Sequence, residues 1–191
     1  VNFPFTTEQV IEIGRFAHKT TREHNRAVID EVMQRTALSD FRGRTYQTLS
    51  GGEQQRVQMA RVMAQLWDES NHPKYLLLDE PTSSLDLSQQ HALLGLAKSL
   101  CQRNIGVLAI LHDLNLASQY ADEVLFLKQG SPVAYGPVFG VMTKSIIEET
   151  FSHPVEVTYD EWTNRPRVYP LMARVPHSIQ EQIKQYKYEH A

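Results

Sequence analysis

Apolar residues recur at helical spacing along the first third of the chain. Val10, Ile13, Phe16 and Ala17 fall on one face of a helix opened by Thr6 or Thr7. Val28, Ile29, Val32 and Met33 mark a second helix, capped by Asn25 and running to about Ala37. A polar connector (39–48) then delivers the chain to Leu49-Ser50-Gly51-Gly52-Glu53-Gln54-Gln55-Arg56 and an apolar-striped run over 57–67. Ser50 with Glu53 three residues later is a capping box, so a helix starts there. Beyond Pro73 the period changes. Residues 75–79 and 105–111 are near-continuous apolar runs, as expected of strands buried on both faces, with a helix over 87–102 between them. That alternation predicts a parallel sheet with a helical crossover. A short helix capped by Asp113, an antiparallel hairpin (123–128 and 132–135) and helical segments to Phe151 follow. From Ser152, prolines punctuate short β-like pieces (155–159 and 167–169), and an amphipathic helix over 178–190 closes the chain.

The glycine-bearing turn changes the picture from fold to chemistry. Gly51 and Gly52 carry no Cβ, so a ligand can lie against the backbone N–H groups of the first turn, where donors and helix dipole attract an anion. About thirty residues on, the first apolar strand ends in two carboxylates, Asp79 and Glu80; about thirty more on, the second ends in His112. An ordinary capped helix explains Ser50 and Glu53 alone. It does not explain the three features in this order and spacing.

At these residues the chain resembles the nucleotide-binding subunit of ATP-binding-cassette (ABC) transporters. LSGGEQQR resembles the family's signature loop, YLLLDE its Walker B strand, Ser83 to Asp86 its D-loop and His112 its switch histidine. The resemblance covers residues 1–150 and implies an α/β fold. Its core is a P-loop NTPase-like parallel sheet, N-terminally incomplete, with an α-helical signature subdomain. None of the nine glycines precedes a lysine, so the Gly-x-x-x-x-Gly-Lys-Ser/Thr phosphate loop is not in this sequence, nor is the glutamine loop that follows it. A sheet lacking the strand before that loop is expected to show an unpaired edge or uncovered core. The expected domains are a helical subdomain (1–66), an α/β catalytic core (67–151) and an appendage on the same domain (152–191).

The resemblance also implies roles. Asp79, at the carboxyl end of a parallel strand, is suited to hold Mg²⁺ through a water, and Glu80 to act as base for the water attacking ATP. His112 is placed to donate to the γ-phosphate. Ser50, Gly51, Gly52 and Glu53 close over the ATP held by the other subunit of a head-to-tail homodimer, and Asp86 contacts that partner. Many family members carry glutamine where Glu53 stands. The helical subdomain meets the membrane-spanning permease subunits, and through them a periplasmic substrate-binding protein. Within the family, YQTLSGGEQQRVQMARVMAQLW and LHDLNLASQYAD most resemble importers of haem, and next those of iron–siderophores and cobalamin.

Composition limits the alternatives. A net charge of −3 over 191 residues offers no basic field for nucleic acid, and 1–48 has no heptad run of the sort a DNA-repair or chromosome ABC ATPase needs. A non-hydrolysing binding module stays open for a chain without a phosphate loop. The single Cys101 suits a reducing compartment, and His18 and His24, six apart, read as solvated loop residues rather than metal ligands. With no run of 18 apolar residues and no signal-like start, work at a membrane is expected through docking at the cytoplasmic face of the inner membrane.

Overall fold

The computed structural model describes residues 4–70, 72–83 and 85–172; the closing helix expected over 178–190 lies outside them. The chain divides into two compact units, the first ending at His112 and the second beginning at Asp113.

In the first unit Thr6 caps α1 (Thr7–Glu12), exchanging hydrogen bonds with Gln9, and a 3-10 turn (Ile13–Arg15) continues it. Gly14 lets that turn approach α3 (Gly51–Leu66) closely, since a Cβ there would sit 2.2 Å from the carbonyl oxygen of Arg61. The second helix, α2 (Arg22–Arg35), starts earlier than expected. Its cap is Thr21, which accepts from the His24 N–H, while Asn25 lies inside the helix and accepts from Arg15 Nε at 2.8 Å.

The histidines also correct the expectation of solvated loop residues. Both reach Asp68, His18 through Nδ1 at 3.1 Å and His24 through Nε2 at 2.7 Å. Arg15, only 2% exposed, completes the cluster with a 2.6 Å bond to Asp68 and a 2.7 Å bond to the Ala64 carbonyl. Burial alone would raise the Asp68 pKa, but hydrogen bonds from Arg15 and His24 outweigh it and hold the carboxyl at about 2. Residues far apart in sequence meet here, so spacing along one helix could not reveal the cluster.

β1 (Lys74–Asp79) and β2 (Ile105–Ile110) pair in parallel, Lys74 opposite Ile105 and Asp79 opposite Ile110, with α4 (Leu87–Cys101) as the crossover. Leu76 and Ile105 join a core with Ile11, Val32, Met33, Val57, Met63, Leu93 and Leu100. Each such side chain, fully buried, contributes roughly 1.5–3 kcal/mol. The other face of the pair is open: Leu77 is 72% exposed, Leu108 62% and Ile110 54%. Burial on both faces is therefore not realised. Among the described residues β1 and β2 pair only with each other, and the helices that form their core cover one side.

In the second unit Asp113 caps α5 (Leu114–Tyr120), accepting from the N–H groups of Asn115 and Leu116. β3 (Glu123–Lys128) and β4 (Ser131–Pro137) form the expected hairpin, its two-residue turn set by Gln129 and Gly130, both at positive φ. Next come α6 (Val138–Val141), α7 (Lys144–Phe151) and an antiparallel pair, β5 (Val155–Asp160) with β6 (Arg165–Pro170). Phe126, Val138, Met142, Ile147, Val155 and Val168 form its core, so the β5–β6 pair packs with the elements that follow Asp113.

Candidate functional site

Three of the residues singled out from the sequence gather at the carboxyl ends of β1 and β2. Asp79 is the last residue of β1 and, by the two-residue period of a strand, shares the open face with Tyr75 and Leu77. Glu80 ends the strand with φ 44°, a left-handed conformation that a non-glycine residue adopts at a cost of order 1 kcal/mol. His112, two residues beyond β2, places Nε2 2.8 Å from Glu80 Oε1. The pair is open to solvent, His112 being 74% and Glu80 48% exposed in their side chains.

The glycine turn is built as its sequence implies. Ser50 caps α3; its N–H donates to Glu53 Oε2 at 2.7 Å and its hydroxyl accepts from the Glu53 N–H. The hydrogen bond from the Ser50 N–H lowers the Glu53 pKa, keeping that carboxylate charged. The two glycines differ. A Cβ on Gly51 would meet nothing within 4 Å, leaving the first turn accessible. Gly52 is buried, and a Cβ there would fall 2.1 Å from Gln89 Nε2.

That contact exposes what motif reading missed. Asp86 caps α4 and forms another capping box with Gln89, whose side chain lies over the start of α3. Gln55 donates to the Pro81 carbonyl at 2.8 Å, and Gln90 to the carbonyls of Thr82 and Leu85. Glutamines of the two helix starts thus hold the loop that follows Glu80. A polar residue within the first five positions of a helix is the only signal the sequence offered for them, and it is weak.

Among the described residues no three His, Cys, Asp or Glu side chains could together hold a metal ion. An exposed carboxylate at a strand end, as Asp79 presents, is compatible with Mg²⁺, which keeps most of its waters and takes remaining ligands from a phosphate substrate.

A family model described as ABC transporter matches residues 3–83. The chain is 43% identical over 169 residues to the hemin import ATP-binding protein of Deinococcus radiodurans, covering 88% of this chain and 64% of that protein. To the protein of the same description from Rhizobium meliloti it is 38% identical, covering 91% of this chain and 67% of the relative. The chain thus spans about two thirds of the length of these relatives. Among solved structures, a metal-chelate type ABC transporter in an inward-facing conformation superposes with a TM-score of 0.74 at 24% identity. That match covers 91% of this chain and 69% of that one, and shows the α/β fold.

Proposed function

From the premise that this chain belongs to the ABC transporter family, we propose that it is part of the ATP-hydrolysing subunit of a bacterial importer, with haem as its cargo. The observation that carries the ATPase reading is the Glu80–His112 pair at 2.8 Å beside Asp79. Glu80 takes a proton from the attacking water, and His112, held by Glu80, donates toward the phosphoryl group as charge develops. Asp79 would hold Mg²⁺ through a water, and the ion would supply charge neutralisation on the phosphate oxygens.

The open first turn at Gly51 supports closure on a phosphate presented by a second copy, in a head-to-tail homodimer. Glu53 caps that turn and Gly52 packs it against Gln89 beside their proposed place at the nucleotide, and Asp86 adds the cap of α4 to its proposed role at the dimer contact. Among the described residues no helix is long and apolar enough to cross a membrane. Docking to permease subunits at the cytoplasmic face of the inner membrane follows from the family reading. Haem rests on the similarity to hemin import ATP-binding proteins, and iron–siderophore or cobalamin transport are the neighbouring readings.

The test is phosphate release by the purified full-length protein with Mg-ATP, compared with residues 1–191 alone. Full-length turnover is expected, with no micromolar ATP binding by the shorter chain, which lacks the phosphate loop and its lysine. A full-length protein that binds ATP and releases no phosphate, even with its permease, would favour the non-hydrolysing module.

A further inference from the structure

The loop that leaves β1 after Glu80 is fastened by side chains of two helices, all within the first unit. Gln55 Nε2 on α3 donates to the Pro81 carbonyl at 2.8 Å. Gln90 Nε2 on α4 donates to the carbonyls of Thr82 at 3.3 Å and Leu85 at 3.1 Å. The Ser83 N–H turns back on the Glu80 carbonyl at 3.3 Å. Of the two glutamines, Gln55 acts nearer the carboxylate, because its acceptor belongs to the residue directly after Glu80.

That position is one that needs fastening. Glu80 has φ 44°, a region where a non-glycine residue persists only if its surroundings over-determine it. It also precedes a proline, and the residue before a proline favours extended backbone. Its conformation therefore runs against local preference on two counts. Pro81 has no N–H to offer and is buried, so its carbonyl is the backbone group by which this residue can be held.

The donor comes from a rigid element. Gln55 stands one helical turn beyond Gly51, and Gly52 and Val57 on either side of it along α3 are buried. Gly52 lies against the Gln89 side chain, so the starts of α3 and α4 brace each other while their glutamines reach the same loop.

We propose that Gln55 is a positioning residue for Glu80. Its amide holds the Pro81 carbonyl, and with it the left-handed turn that sets the Glu80 carboxylate 2.8 Å from His112 Nε2. This rests on the ATPase reading above. Without the donor, the backbone at Glu80 relaxes toward the extended form that its place before proline favours, and the carboxylate leaves the water it activates. Gln55 has no contact with nucleotide in that reading, so ATP affinity is kept.

The experiment measures phosphate release from Mg-ATP by the full-length protein. Gln55→Met keeps the length and helix propensity of the side chain but has no N–H to donate. Losing the net worth of one hydrogen bond from the orientation of the base should lower kcat about tenfold, with KM for ATP unchanged. Gln55→Lys, which restores a donor at similar reach, should recover most of that rate. In a Glu80→Gln background Gln55→Met should reduce the residual single-turnover rate little further, because the base it positions is gone. Gln55→Lys no faster than Gln55→Met, equal fold-losses in both backgrounds, or a kcat that follows thermal stability alone would overturn the proposal and make Gln55 a packing residue. Absence of wild-type turnover would instead bring down the ATPase reading itself.

Discussion

Two of the histidine–carboxylate contacts among the described residues of the first unit have nearly the same length and opposite character. His24 meets Asp68 at 2.7 Å and His112 meets Glu80 at 2.8 Å. Around Asp68 the chain supplies a buried arginine, a second histidine and a carboxyl pKa drawn down to about 2. Around Glu80 it supplies solvent, a left-handed backbone and the open end of a parallel strand pair. The first is a cluster whose charges are spent on one another, joining α2, the turn after α1 and the end of α3. The second leaves its groups available. The contact chemistry is the same in both; exposure, a left-handed backbone and position at a strand end are what set the second pair apart and motivate its proposed role.

Breaking each pair should separate the two roles. The largest effect is expected from His112→Ala, which in the full-length protein should cut ATP turnover about a hundredfold and leave thermal stability unchanged. If melting shifts instead and turnover follows it, His112 belongs with His24. Asp68→Asn should do the reverse, destabilising by about 2 kcal/mol because the nearly buried Arg15 loses its charged partner while keeping the Ala64 and Asn25 bonds. Denaturant unfolding measures this, and an unchanged midpoint would contradict it.

The same carboxylate sets an acid limit. Its folded pKa lies below the ordinary 3.8, so its contribution is present above that value and is lost as pH falls toward about 2. Wild-type stability should drop across that window more steeply than that of Asp68→Asn. The smallest effect belongs to His24→Ala: its ring is 49% exposed, and about 0.5 kcal/mol is expected from differential scanning calorimetry.

How much of this was legible in the sequence follows from the range of the interactions. Local signals carried well. Ser50 and Asp113 are caps because a side-chain oxygen and the N–H groups it accepts from lie within three residues. The buried face of β1 was visible in its apolar run, but its open face was not, since exposure depends on which strands and helices lie alongside. The cap at Thr21 was misplaced to Asn25 because both residue types cap helices, and only the partner Arg15, ten residues earlier, decides between them. The Asp68 cluster joins residues up to 53 apart, beyond any periodic pattern. At the site, Asp79, Glu80 and His112 could be named from strand ends and resemblance. The glutamines that brace the loop after Glu80 could not, because polar residues near a helix start usually face water.

The proposed role of Glu80 as base in an ATP-hydrolysing subunit is tested by Glu80→Gln in the full-length protein. The amide keeps shape and hydrogen-bonding size while removing the basic oxygen. ATP binding should persist, phosphate release should fall at least a hundredfold, and the protein should accumulate as an ATP-held dimer on size-exclusion chromatography. Wild-type-like steady-state hydrolysis by Glu80→Gln would contradict the account.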